Sequence, residues 1–222
     1  MTRSVIIVAG GRGVRMNSAM PKQFISVGDW PVLMRTVRRF WEYDQQMKIV
    51  VVLPEDQQQV WLSLCETYSF SIKHELAVGG STRFHSVLNG LQLVGDSDLI
   101  GVHDGVRPFV SVATIDRCFD AADSFGAAVP VLPAVESLRE VKDDATSVAC
   151  NREDFYMVQT PQVFKAEWLF KAYEQPWKAS YTDDASVVEA AGYAISLTEG
   201  NRENIKITSP FDLLVAEAIL RA

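Results

Sequence analysis

Cysteine is scarce in this chain: Cys65, Cys118 and Cys150 are the whole set, odd in number, widely spaced and without paired histidines. That excludes an obvious zinc site or a disulfide framework and suits a reducing cytoplasm. Histidine is as rare, with three residues and none in an obvious catalytic arrangement. Positive charge is also in deficit. A formal net charge of −7 argues against nonspecific nucleic-acid binding, so any bound anion must be met by local clusters of Arg and Lys. No apolar run approaches the ~20 residues that a membrane helix requires. "SVIIVAG" (4–10) is too short for the apolar part of a signal peptide and leads into glycines and charges, so it reads as a buried strand. Internal repeats, low-complexity tracts and flexible linkers are absent too.

What is present is the composition of a globular protein, 48% hydrophobic over 222 residues, enough for one well-buried domain and too little for two of ordinary size. Apolar runs at 4–10, 48–54, 72–78, 98–104 and 126–133 read as strands, several apolar throughout, as in a parallel sheet covered on both faces. Helical patterns at 31–43, 55–68, 81–94 and 111–125 alternate with them. In the first, Leu33, Val37, Phe40 and Trp41 form one apolar face. This alternation predicts an α/β fold: three layers, Rossmann-like, around a mostly parallel sheet.

The rhythm breaks at residues 136–155, a polar stretch that reads as a β-hairpin with Lys142, Asp143 and Asp144 at its turn. A two-stranded ribbon is marginal alone in water, so something should cover it, and a partner subunit is the natural candidate. After it come "FYMVQTPQVF" (155–164), helices near 165–174 and 182–191, a strand over 193–200, and a closing helix over 209–222 with Ser209 as its cap. A single domain, 1–222, with 136–155 as a dimerisation arm is the economical organisation.

Gly10, Gly11 and Gly13 follow the first strand, at the carboxyl end where open α/β sheets bind ligands. Glycines there let backbone N–H groups approach phosphate oxygens. The stretch lacks the Gly-Lys-Ser/Thr of a P-loop, and Arg15, Met16 and Pro21 stand where a dinucleotide fingerprint needs a helix-opening glycine. The glycine spacing therefore speaks against a dehydrogenase. Arg15 and Lys22 could flank a triphosphate, the alternative being a tight turn with solvated cations, Arg12 among them. Asp104, at the end of a predicted strand in "HDGVRPF" (103–109), suits Mg²⁺, which takes one or two carboxylates and fills its other positions with phosphate oxygens and water. Its alternative is a structural ion pair with Arg107. His103 reads as packing, and His85 as facing solvent or a core edge.

"AGGRGVRM" (9–16), "PKQF" (21–24), "GGSTRFHSVLNGL" (79–91), "HDGVRPF" (103–109), "QTPQVF" (159–164), "TDDASVVE" (182–189) and "GNRENIKIT" (200–208) together resemble the cytidylyltransferase branch of the nucleotidylyltransferases that activate sugar and polyol phosphates. The resemblance spans almost the whole chain. It implies an enzyme that transfers CMP from CTP to a polyol phosphate, releasing pyrophosphate. Methylerythritol phosphate is the nearer acceptor and ribitol 5-phosphate the alternative. A nucleotide sensor without catalysis is the rival of another class.

By the same resemblance, Arg15, Lys22 and Lys206 are the catalytic cations and Asp104 holds Mg²⁺. Ala9, Gly10, Gly11, Gly13, Gly80, Ser81, Ser86 and Gly105 contact the nucleotide, the cytosine largely through backbone groups. Ser81 departs from the acidic residue that relatives often carry there. Arg107 and Thr160 lie near the acceptor. Ser137 and Arg152 reach the acceptor's phosphate from an arm that crosses to the neighbouring subunit. Asp183 and Asp184 could cap the helix that follows them. A cytoplasmic homodimer is the resulting expectation.

Overall fold

The computed structural model describes residues 1–10, 20–143 and 146–221. Its first strand, β1 (Arg3–Val8), runs parallel to β4 (Lys48–Leu53) on one side and to β6 (Leu99–Asp104) on the other. β5 (Glu75–Val78) joins parallel to β4. Beyond β6 the sheet turns antiparallel, through β11 (Gln162–Lys165) to β7 (Ala127–Pro133). The β10 strand (Tyr156–Val158) pairs antiparallel to β7, and β12 (Ser196–Glu199) pairs parallel to it. These eight strands form one mixed sheet, and the short pair β2 (Ser26–Val27) and β3 (Trp30–Pro31) stands apart from it.

Alternation along β1 explains the layering, because successive side chains point to opposite faces of a strand. Val5 and Ile7 pack with Leu33, Val37, Phe40 and Phe119, on α1 (Val32–Tyr43) and α4 (Val112–Phe125). Ile6, with Val50 and Val52, packs on the other face against Phe84, Val87 and Leu91 of α3 (Arg83–Leu91). Leu169 of α5 (Ala166–Tyr173) and Val187 of α6 (Asp184–Ala190) extend that second core. The first face also takes Trp61 from α2 (Glu55–Thr67). The three-layer α/β prediction therefore holds.

Several boundaries differ from the sequence reading. The strand expected over 72–78 begins only at Glu75, because His74 turns its ring to the Ile72 carbonyl (2.7 Å) and accepts from the Trp61 indole N–H (2.9 Å). The stretch 155–164 is two strands, β10 and β11, broken before Pro161, which has no N–H to give a ladder. The helix at 182–191 shortens to α6, with Asp183 as its N-cap in a capping box with Ser186. The expected hairpin is present as β8 (Arg139–Val141) and β9 (Ser147–Ala149), separate from the large sheet. The closing helix α7 (Pro210–Arg221) starts at the proline after Ser209.

Candidate active site

Because β1 and β6 are parallel and in register, Val8 against Asp104, both strands deliver their carboxyl ends to one place. The crossing there is close. The Gly105 N–H donates to the Val8 carbonyl at 2.8 Å, and a Cβ at Gly105 would lie 2.8 Å from the Cβ of Ala9. Only glycine fits that contact. Above the strand ends lies a hollow of about 290 Å³, into which Lys22, Arg83, Asp104 and Lys206 all project from different parts of the chain. Ala9, Gly10, Gly80, Ser81 and Ser86 also line it.

Asp104 is the centre of charge. Its Oδ2 lies 3.0 Å from Lys206 Nζ and 3.1 Å from Arg107 Nε, and its Oδ1 lies 3.9 Å from Arg83 Nε. Burial works against the carboxylate, but Lys206, Arg83 and Arg107 together hold it well below the usual carboxylate range. It is an anion at every physiological pH. Arg83 is anchored in turn by Asp184, at 2.6 Å, and the fully buried Asp184 also accepts from the Tyr173 hydroxyl at 2.7 Å. Burial disfavours the Arg83 charge, yet Asp184 and Asp104 outweigh it and raise its pKa.

A second layer of hydrogen bonds fixes the turn that carries Asp104. The Asp104 N–H donates to Thr160 Oγ1 at 3.1 Å, and Thr160 Oγ1 pairs with His103 Nδ1 at 2.9 Å. His103 Nε2 sits 3.0 Å from the Arg107 carbonyl. With the proton on Nε2, the ring donates to Arg107 and accepts from Thr160, leaving a Thr160 lone pair for Asp104. Burial pushes the His103 pKa down to about 4, so the ring is neutral near pH 7. Arg107 Nη1 donates to the Asn204 carbonyl at 2.7 Å, and the Asn204 amide donates to the Thr160 carbonyl at 2.8 Å. The segment carrying Lys206 is thereby tied to the segment carrying Thr160. Lys206 itself is set by Ile207, which is fully buried and bonded from its N–H to the Val106 carbonyl.

On the opposite wall, α3 begins with Thr82 as its cap. The Ser86 hydroxyl accepts from the Gly80 N–H at 3.0 Å and donates to the Thr82 carbonyl at 2.9 Å. Ser86 therefore shapes the turn before α3 with both of its hydrogen-bonding functions. At the remaining wall, the buried Gln23 amide donates to the Ala9 carbonyl (2.9 Å) and to Gln57 Oε1 (2.6 Å), clamping the "PKQF" segment against the end of β1 and placing Lys22 at the hollow.

The structure thus gathers Ala9, Gly10, Lys22, Gly80, Ser81, Ser86, Asp104 and Lys206 around one space. Gly105, Arg107 and Thr160 do not line it. Gly105 permits the strand crossing beneath, while Arg107 and Thr160 hold Asp104 from behind, their polar groups already engaged. Ser137 and Arg152 are exposed on and beside the arm, Arg152 donating to the Val135 carbonyl. Gly11, Arg12, Gly13 and Arg15 lie outside the described residues. Asp183 is the helix cap, whereas Asp184 is the buried partner of Arg83. Gln23 and Asn204 had no sequence signal beyond their place inside motifs, since their roles depend on partners far along the chain.

Comparison with known proteins identifies the family. The family model of 2-C-methyl-D-erythritol 4-phosphate cytidylyltransferase matches residues 4–222. A protein of that name from Bacteroides fragilis is 54% identical over 220 residues, covering 99% of this chain and 100% of its own. One from Porphyromonas gingivalis is 49% identical, covering 98% of this chain and 97% of its own. The crystal structure of the enzyme of that name from Thermus thermophilus superposes with a TM-score of 0.82 at 35% identity, over 100% of both chains. The chain therefore belongs to the 2-C-methyl-D-erythritol 4-phosphate cytidylyltransferase family.

Proposed function

We propose that the hollow at the ends of β1 and β6 carries out the reaction for which the family is named, transfer of CMP from CTP to 2-C-methyl-D-erythritol 4-phosphate in the non-mevalonate route to isoprenoid precursors. The observation that carries this reading is the convergence of Lys22, Lys206 and Asp104 on one space beside the Gly80–Ser81 turn. An oxygen of the acceptor's phosphomonoester attacks the α-phosphorus of CTP. The bond from that phosphorus to the oxygen bridging to the β-phosphate breaks, and pyrophosphate leaves with the bonding pair. A phosphomonoester with a second pKa near ~6 is largely dianionic at neutral pH, so the step needs no general base. The buried, neutral His103 suits such a mechanism, holding the Asp104 turn and taking no proton. Lys22 and Lys206, joined by Arg15, stabilise the charge that builds on the α-phosphate and the leaving group.

Asp104 fits a magnesium ion. Its Oδ2 is engaged by Lys206 and Arg107, while Arg83 Nε stands off Oδ1 at 3.9 Å, beyond hydrogen-bond distance. Among the described residues no cluster of three or more His, Cys, Asp or Glu could form a closed cage. One carboxylate completed by substrate phosphates and water is the coordination Mg²⁺ favours. When bound, the ion supplies Lewis-acid neutralisation of the phosphates. Arg107 and Thr160 serve the acceptor side by fixing Asp104. Ser137 and Arg152 reach the acceptor's phosphate from the arm of a second copy. Exposed Val141, Val148, Tyr156 and Met157 along the arm and β10 support that homodimer. No helix among the described residues is long and apolar enough to cross a membrane, and all three cysteines are free, which supports a cytoplasmic location.

Pyrophosphate release measured with CTP and either 2-C-methyl-D-erythritol 4-phosphate or ribitol 5-phosphate tests the assignment. Turnover is expected with the first acceptor, and EDTA should abolish it without changing the circular dichroism spectrum. Preference for ribitol 5-phosphate would reassign the acceptor. CTP binding without turnover on either acceptor would leave a nucleotide sensor, and full activity in EDTA would remove the metal.

A further inference from the structure

We propose that His85 is a positioning residue for the nucleotide, holding the Gly80–Thr82 turn in the shape that receives the base. The ring lies one helical turn into α3, beneath that turn. Its Nδ1 is 2.8 Å from Thr82 Oγ1 and 3.2 Å from Ser81 Oγ. Thr82 Oγ1 already accepts from the His85 N–H at 3.3 Å, so the Thr82 hydroxyl hydrogen is available to donate to Nδ1. With the ring proton on Nε2, Thr82 donates to the Nδ1 lone pair and Ser81 shares that lone pair at longer range. One acceptor thus gathers the two hydroxyls that flank the peptide groups between Gly80 and Thr82. Ser81 and Thr82 both line the hollow, whereas His85 does not.

Two further contacts make the ring a support and not a passing neighbour. A Cβ at Gly80 would collide with the Cβ of His85 and lie 2.7 Å from its carbonyl carbon, so the turn rests directly on this residue. The ring is also flanked by aromatics, edge-on to Phe84 at 5.5 Å between centroids and tilted against Trp177 at 6.4 Å. Ser86 fixes the same turn from its other side through the Gly80 N–H. Backbone donors and acceptors discriminate a base only when they are held in place before it arrives, and His85 supplies part of that rigidity. This role rests on the reading that the nucleotide occupies the Gly80–Ser81 wall.

Steady-state kinetics of His85→Ala, His85→Asn and His85→Gln test the proposal, with Gly80→Ala as a control for the wall itself. His85→Ala should raise the KM for CTP by roughly threefold to tenfold, the factor for one or two neutral hydrogen bonds, with little change in kcat or in the KM for the acceptor. His85→Asn places an acceptor oxygen near the position of Nδ1 and should restore most of the loss. His85→Gln places its oxygen nearer Nε2 and should not. An unchanged KM for CTP in His85→Ala, or equal behaviour of Asn and Gln, overturns the role of His85. If Gly80→Ala also leaves that KM unchanged, the placement of the nucleotide falls with it. If Gly80→Ala raises the KM while His85→Ala does not, only the positioning role is lost.

Discussion

Asp104 remains charged although its side chain is nearly closed off from water, and it does so because three cations converge on it. A buried ion left without partners costs several kcal/mol, so Lys206 and Arg107 are part of its stability. Lys22 differs, because it is carried on a short segment whose clamp is the Gln23 amide, bonded to the Ala9 carbonyl and to Gln57, and not the lysine's own ammonium. Removing its ammonium should therefore spare the fold. Lys22→Ala is expected to keep the thermal unfolding curve of the parent and to lower kcat on the order of 100-fold or more. Near-normal pyrophosphate release by that variant would take Lys22 out of the catalytic set. At this scale the residue types in the motifs already indicated phosphate chemistry. The distinction between residues lining the hollow and residues bracing it was not legible, since Arg107 and Thr160 sit in motifs as distinctive as those of Lys22 and Lys206.

Among elements, the contrast lies between the sheet interior and its β10 edge. β1, β4 and β6 are buried along nearly their whole length because helices cover both faces, and their apolar runs were readable directly. Every residue of β10 is exposed, and Tyr156 and Met157 stand there as large apolar side chains on an edge strand. Such an edge invites pairing with another chain. If the arm and this strand form the homodimer contact, Met157→Asp should convert the protein to a monomer in sedimentation velocity. The far-UV spectrum should stay unchanged, and turnover should fall because Ser137 and Arg152 of a second copy would no longer reach the acceptor. A variant that remains dimeric would move the interface elsewhere. The hairpin was anticipated from its lack of core-forming residues. The break between β10 and β11 falls at Pro161, which has no N–H to give the ladder.

For the whole molecule, stability should follow the burial of its histidines. An unfolded chain protonates His103 near pH ~6.5. The folded site resists until about pH 4 because burial disfavours the imidazolium. The unfolded state therefore binds more protons across that interval, and stability must fall as pH falls through it. The slope from this one group is up to ~1.4 kcal/mol per pH unit. His74, whose pKa is also lowered by burial, adds in the same direction. Asp104, held below its ordinary range, contributes in the other window, its stabilisation being lost only as pH drops below about 4. Urea unfolding followed between about pH 7 and pH 5 checks this, and a constant midpoint would contradict it.

The sequence by itself determined the α/β class, the alternation of strands and helices and the polar hairpin. Those depend on periodicity, turn residues and local charge, which are properties of neighbours along the chain. Only the tertiary structure decided that Arg83 answers to Asp184, that Asn204 ties the Lys206 segment to Thr160, and that His85 underlies the Gly80 turn. The first two pairs are separated by 101 and 44 residues in sequence, whereas His85 meets its turn locally, at the capped start of α3. Which polar group meets which across an open sheet is fixed by packing and desolvation, and neither is written in the order of residues.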